Sequence, residues 1–343
     1  MRFATNSVRS GNPLANGNHS TGDIAMKIAI LEDYQEAVRQ LPCFALLEGH
    51  EVDVFTEPMD DDAMAQCLAE HEAVVLIRER THITAALMDR LPRLQLISQT
   101  GKVSGNVDMA AAQQRGVTVL EGVGDPTAPA ELSWALLMAA YRRLPQYVNQ
   151  LQVGQWQRVA DDAANNTIGR ALKGDVLGIW GYGKIGQRMA RYARAFDMEI
   201  LVWGRAASLE LARAEGHRVA TSKAAFFAEA DVVTLHLRLN DATRGIITAS
   251  DLSQMKPSAL LLNTSRAELI EPGALLFALQ QGRPGHAAID VFEQEPLPAS
   301  DPLLQMANVV ATPHLGYVEQ KGYELYFSAA LRNVLAFAAQ AKG

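Results

Sequence analysis

The sequence predicts an α/β protein made of two doubly wound parallel-sheet domains. Three observations carry this reading. Short apolar runs alternate with amphipathic helical stretches in βαβα order, the signature of a parallel sheet covered on both faces. The alternation gives way after residue 120 to a long apolar helix and a polar loop, and then starts again. The 343 residues suffice for two domains of about 150 residues each.

Residues 1–25 are rich in Asn, Ser and Gly and show no apolar period. They read as a disordered leader before a natural start at Met26, in preference to a transit peptide, for which Arg2 and Arg9 alone speak. From Lys27 onward, strands are predicted at 27–31, 51–55, 73–77, 94–98 and 117–120, with amphipathic segments such as 59–70 and 108–115 between them. Residues 126–144 predict a long apolar helix opened by prolines, and a loop rich in Gln, Asn and Asp follows around 154–166. The second series predicts strands at 174–180, 199–203, 231–236, 259–263, 286–291 and 308–312. The chain closes in a helix over 318–339. A ligand is expected where strand C-termini face a cleft between the two domains.

Composition narrows the function. Apolar residues make up 48% and charged residues 20%, an ordinary globular balance. No stretch approaches the roughly 20 apolar residues of a membrane span. A net charge of -7 argues against nucleic acid or an anionic membrane as a general partner. Cys43 and Cys67 are the only cysteines, which excludes a disulfide framework and a Cys-based zinc site. Both read as small buried hydrophobes of a protein in a reducing compartment, the cytoplasm, and no metal site is expected.

The clearest motif is Gly181-Tyr182-Gly183-Lys184-Ile185-Gly186. It follows a predicted buried strand and precedes a predicted helix over 187–196, the context in which GxGxxG binds a dinucleotide. Gly181 makes the tight turn, Gly183 lets the backbone approach a pyrophosphate, and Gly186 allows close helix–strand packing. The helix N-terminus offers free N–H groups to the phosphates. The next strand should end in an acid that bonds the adenosine ribose of NAD. It ends instead in Gly204-Arg205, and an arginine there suits the 2′-phosphate of NADP.

Arg266, Asp290 and His314 fall at the C-terminal ends of predicted strands, and Glu295 lies on the loop after Asp290. An arginine can clamp a carboxylate in a bidentate fork and polarise a neighbouring carbonyl. A histidine can exchange the hydroxyl proton near neutral pH, and a carboxylate beside it stabilises the imidazolium. Together with a dinucleotide, these are the parts for hydride transfer to a keto acid.

Over residues 27–340 the sequence resembles the D-isomer-specific 2-hydroxyacid dehydrogenases. The resemblance rests on VLGIWGYGKIGQRMA (176–190), VVTLHLRLNDATRGIIT (232–248), MKPSALLLNTSRAELI (255–270), HAAIDVFEQEPL (286–297) and NVVATPHLGY (308–317). It implies that Arg266 binds the substrate, that Glu295 is the partner carboxylate and that His314 is the acid/base. It implies further that Asp290 and Thr264 lie on the nicotinamide side, that Lys184 and Ile185 contact the pyrophosphate, and that Leu237 and Thr243 line the dinucleotide groove. The implied cofactor is NAD(P), with NADP(H) favoured by Arg205. The implied topology is a Rossmann-type cofactor domain, 125–313, inserted in a flavodoxin-like substrate domain made of 26–124 and 314–343. Members usually pair as homodimers through the cofactor domain, which would involve the helix 129–143 and the arm after it.

Three places in the chain depart from the family pattern. Lys102-Val103 stands where a Val-Gly pair commonly offers amides to the substrate carboxylate. Ala267 replaces the glycine after the arginine, and Arg238 replaces a proline after His236-Leu237. The expected activity is hydride transfer between NAD(P)H and a small 2-oxo or D-2-hydroxy acid, the identity of the acid being left open. A formate-type enzyme on the same fold would place an amide beside the histidine, where Glu295 stands. A cofactor-sensing, corepressor-like scaffold is the alternative of another class.

Overall fold

Residues 25–163 and 165–340 are described by the computed structural model, so all of the expected leader except Ala25 lies outside the described residues. The chain divides into two units. One contains the residues up to Asp125 and from Glu319 onward, and the other is Pro126–Val318.

The first unit holds β1 (Lys27–Leu31), β2 (Glu51–Val54), β3 (Ala73–Leu76), β4 (Leu96–Gln99) and β5 (Thr118–Glu121). They form one parallel sheet in the order β2-β1-β3-β4-β5. β1, β3 and β4 are buried on both faces, so β1 after Lys27 and all of β3 read as apolar runs, while β4 buries Ser98 and Gln99 beside Leu96 and Ile97. On one face Ala29, Leu31, Val74, Leu76 and Ile97 pack with Met64 and Leu68 of the helix Asp61–Leu68. That helix starts where the Asp60 carboxylate accepts from the Ala63 amide. The C-terminal helix Gln320–Gln340 returns to this unit and buries Phe327, Ala330, Leu331 and Val334, with Ser98 Oγ donating to the Ala330 carbonyl.

The second unit holds β6 (Val176–Trp180), β7 (Glu199–Trp203), β8 (Arg218–Val219), β9 (Val232–Leu235), β10 (Leu260–Asn263), β11 (His286–Ile289) and β12 (Val309–Ala311). All are parallel, in the order β12-β11-β10-β9-β6-β7-β8. Strand order reverses at β6, which has β7 on one side and β9 on the other. The connections leaving the C-terminal ends of β6 and β9 therefore diverge and open a crevice. One face is packed by the helices Thr127–Tyr141 and Lys184–Ala195 through Leu136, Leu137, Met189 and Ala193. On the other, Phe226 and Phe227 stand edge-on to Trp180.

The structure differs from the expected elements where local signals are weak. β8 was not expected, because two residues give no readable period. The apolar helix ends at Tyr141; Arg143 then takes a left-handed conformation (φ 52°) and a separate helix, Leu144–Gln152, begins. The helix after the glycine motif begins at Lys184, so Gly186 lies in its first turn. Segment 314–318 goes with the second unit, beyond the hinge expected near Pro313, because Asp290 ties it to the end of β11. The Leu315 amide donates to Asp290 Oδ1 (2.7 Å) and the Gly316 amide to Asp290 Oδ2 (2.8 Å). Among the described residues, no helix is long and apolar enough to cross a membrane and no cluster of side chains could hold a metal ion.

Candidate active site

The glycine motif fills the turn from β6 into the helix Lys184–Ala195. Gly181 has φ 101°, and a Cβ there would lie 2.5 Å from the His236 carbonyl oxygen at the end of β9. A Cβ on Gly186 would lie 2.3 Å from the Gly181 carbonyl oxygen. Both glycines are fixed by the protein's own packing. Gly183 is different: a Cβ on it would meet no protein atom within 4 Å. Gly183 is also the N-cap of the helix, and no side chain caps it. The helix therefore starts, at Lys184 and Ile185, without a side-chain cap and with open space beside Gly183. This matches what a pyrophosphate needs.

Around this turn, Leu237 packs within reach of Gly181. His236 next to it is held neutral, pushed down to about 3 by burial, and its Nε2 lies 2.9 Å from Thr234 Oγ1. Thr243 organises the loop beyond: its hydroxyl donates to the Arg238 carbonyl (2.7 Å) and accepts from the Asn240 amide (2.9 Å). Arg205 is exposed at the N-cap of the helix Ala206–Ala214, directly after β7 and Gly204. Of the arginines on the helix Lys184–Ala195, Arg191 and Arg194 are exposed, whereas Arg188 is half-buried and donates to Thr127 Oγ1 (3.2 Å).

At the end of β10 the buried Asn263 shapes the next segment. Its Oδ1 accepts from the Ser265 amide and its Nδ2 donates to the Arg266 carbonyl. Thr264 Oγ1 lies 2.6 Å from Ser133 Oγ. Arg266 is extended and half-buried, with Nη1 donating to the Ser265 carbonyl at 2.7 Å.

At the end of β11 the Asp290 carboxylate accepts three hydrogen bonds, from the Thr312 hydroxyl (2.6 Å) and the amides of Leu315 and Gly316. Burial pushes its carboxyl above the usual carboxylate range, against the pull of those bonds and of the His314 charge. The bonds pin a turn in which His314 is left-handed (φ 53°), its ring edge-on to Tyr317. His314 Nδ1 lies 2.6 Å from Glu295 Oε2, and Glu295 Oε1 accepts from the Phe292 amide at 2.9 Å. Burial pushes the Glu295 carboxyl up. The His314 hydrogen bond and charge, the Phe292 amide and the Arg266 charge outweigh that and bring it below its ordinary range. An ionised Glu295 can only accept, so the proton sits on Nδ1 and Nε2 is left for a substrate.

The second unit thus brings together Arg266, Glu295, His314, Asp290, Thr264 and the glycine turn at the C-terminal edge of one sheet. Lys102 and Val103 belong to the first unit. There Glu121 engages both, Oε2 pairing with Lys102 Nζ at 2.5 Å and Oε1 accepting from the Val103 amide at 3.0 Å. Sequence reasoning passed over the groups that hold these segments. Buried Gln99 and Asn106 bond each other (2.8 Å), and Gln99 Nε2 donates to the Lys102 carbonyl (2.7 Å). The Arg78 guanidinium lies against Gly101, so that a Cβ there would clash with it. Gln99 closes a strand and Asn106 lies in a loop, and neither position carries a periodic signal.

A family model described as the NAD binding domain of D-isomer specific 2-hydroxyacid dehydrogenases matches residues 134–316. A glyoxylate reductase of Aeropyrum pernix is 33% identical over 288 residues, covering 83% of this chain and 85% of that protein. A D-3-phosphoglycerate dehydrogenase of Methanocaldococcus jannaschii is 34% identical over 71% of this chain, but the match spans only 45% of that longer protein. A crystal structure described as a phosphoglycerate oxidoreductase from Vibrio cholerae is 54% identical, with a TM-score of 0.88 over 92% of this chain and 99% of the other.

Proposed function

The chain belongs to the D-isomer specific 2-hydroxyacid dehydrogenase family, and on that premise we propose that it reduces a small 2-oxo acid with NADPH through His314, Glu295 and Arg266. It is an oxidoreductase of nicotinamide-dependent 2-oxo/2-hydroxy acid chemistry. The observation that carries the residue roles is the 2.6 Å contact between His314 Nδ1 and Glu295 Oε2 on the unit that also bears the glycine turn.

The residues present fit a dinucleotide, the space at Gly183 being the direct indication. Gly183, Lys184 and Ile185 would hold the pyrophosphate, and Thr264 and Asp290 would face the nicotinamide end. When bound, that ring supplies the hydride for the carbonyl carbon. Arg266 binds the substrate carboxylate in a planar fork and draws electron density toward the carbonyl oxygen. His314 Nε2 gives that oxygen its proton as the C–O bond order falls, and Glu295 stabilises the imidazolium before transfer. Carbon gains the hydride and oxygen the proton, giving the hydroxy acid and a neutral imidazole that solvent reprotonates. Asp290 keeps the His314 ring in place through the Leu315 and Gly316 amides that follow it.

Glyoxylate and hydroxypyruvate are the substrates favoured, in keeping with a glyoxylate reductase matched over most of its length. A second reading, 3-phosphohydroxypyruvate, draws on the Vibrio cholerae structure at 54% identity. Initial rates with these three acids, each with NADPH and NADH, decide between them. A protein inert to all three would sink the assignment.

Pairing of two copies through the second unit is supported by the exposed apolar residues Leu144, Val148 and Leu151 on the helix Leu144–Gln152 and Val153 and Trp156 just after it. Free Cys43 and Cys67 agree with a cytoplasmic setting. Sedimentation velocity should give a dimer, and a monomer would remove that part of the reading.

A further inference from the structure

Two guanidinium groups and an imidazole converge on a cavity of about 90 Å³ in the second unit, lined by Arg143, Arg170, His286, Tyr141 and Thr167. His286 is the first residue of β11 and Leu260, also in its wall, the first of β10. The cavity is therefore at the N-terminal edge of the parallel sheet, opposite to the edge that carries Gly181, Arg266 and Asp290.

Its charges do not balance. Arg143 is 9% exposed and held in a left-handed conformation between two helices. Its Nη1 donates to Thr167 Oγ1 at 2.5 Å, while its buried Nε has no hydrogen-bond partner. No carboxylate pairs with Arg143 among the described residues. Arg170 stacks over the Tyr141 ring, donates to the Tyr141 hydroxyl at 2.8 Å and lies 3.5 Å from Asp175. Asp175 also accepts from that hydroxyl at 2.9 Å, so its carboxylate is engaged at Tyr141 and Arg170. Burial, with the Arg143 and Arg170 charges behind it, pushes the His286 pKa below the ordinary imidazole range. A guanidinium buried without a counter-charge is destabilising unless an anion meets it.

We propose that this cavity is a receptor for one small free oxyanion, a phosphate group, held by the Arg143 and Arg170 guanidinium groups with the Thr167 hydroxyl and His286 at its sides. Arginine forks match phosphate oxygens in pairs, and the unpartnered Nε of Arg143 supplies a donor already desolvated. The site is independent of the reading of the active site.

The test uses the full chain saturated with nicotinamide cofactor, so that the glycine turn is filled. Inorganic phosphate is titrated against chloride at equal ionic strength. The melting temperature of the wild type should rise by roughly 2 °C at about ten times the phosphate Kd. Arg143→Gln and Arg170→Gln should each lose most of that rise, and the His286 imidazole resonances should shift with phosphate in the wild type only. An equal rise in wild type and Arg143→Gln, or none in either, overturns the proposal. So does an Arg143→Gln variant that dissociates into monomers while phosphate leaves the wild type unchanged. That result would give the cavity to a carboxylate of a second copy.

Discussion

His314 Nδ1 and Glu295 Oε2 lie 2.6 Å apart across 19 positions of sequence. The contact fixes the tautomer of the ring. It also fixes its direction, because Glu295 is itself held by the Phe292 amide and His314 by a backbone turn that Asp290 closes.

Replacing His314 with Ala should abolish turnover and leave cofactor affinity close to wild type. The ring is assigned to the substrate oxygen and not to the dinucleotide. Loss of a general acid/base costs about 10²–10⁴ in rate. Stopped-flow binding of the reduced cofactor beside steady-state kcat checks both halves, and a variant with wild-type kcat refutes the role.

Glu295→Gln should be milder and should change the pH profile. Without the carboxylate the imidazolium loses its partner, so the alkaline limb of keto-acid reduction should move to lower pH. Stability carries the complementary signature. A carboxyl depressed in the folded state stabilises above its unfolded pKa, and that contribution disappears as pH falls through the folded value. The variant should therefore melt below wild type at pH 7 and approach it only as pH falls below the ordinary carboxylate range. An unchanged profile of kcat/KM against pH refutes the pairing.

Arg266→Lys keeps the charge and removes the planar fork. If the substrate carboxylate is held at two points, KM should rise sharply and kcat should fall with it. A near-wild-type lysine variant would mean that the position supplies only long-range charge.

Much of this site was readable because the parallel sheet makes it so. Every strand in the second unit points the same way, so residues just past its apolar runs share one edge. That simple rule gathers Gly181, Arg266 and Asp290 from the sequence alone. His314 and Glu295 were legible as types, but their contact was not, since it depends on the turn that Asp290 ties. The polar pair Gln99–Asn106 escaped notice because a buried amide is recognisable only once its partner is known. The cavity around Arg143 was hidden for a like reason: its walls come from a helix end, an arm and two strand starts, none adjacent in sequence.

Gly183→Ala and Gly186→Ala separate a ligand contact from a packing contact within one motif. The alanine Cβ at Gly183 meets no protein atom within 4 Å, whereas at Gly186 it would lie 2.3 Å from the Gly181 carbonyl oxygen. Gly183→Ala should keep the wild-type melting temperature and raise the cofactor KM by about tenfold, the effect of roughly 1.4 kcal/mol. Gly186→Ala should lower the melting temperature itself. Unchanged cofactor affinity in Gly183→Ala would mean that the pyrophosphate does not lie against that glycine.

Arg205→Asp tests the choice of cofactor. The end of β7 carries no carboxylate, so the ribose diol of NADH would lack its charge-assisted hydrogen bonds, each worth about 1.5–3 kcal/mol. Arg205, exposed at the N-cap of the helix Ala206–Ala214, can instead fork onto the 2′-phosphate of NADPH. Arg191 and Arg194 are exposed on the preceding helix and add to a field that favours an anion. Glu210 could oppose this, but no ion pair joins it to Arg205 among the described residues. The wild type should therefore show a higher kcat/KM with NADPH than with NADH. Arg205→Asp should reverse the order, because a carboxylate both bonds the diol and repels the phosphate. Equal or better kcat/KM with NADH in the wild type would make Arg205 an ordinary solvated residue at the start of a helix.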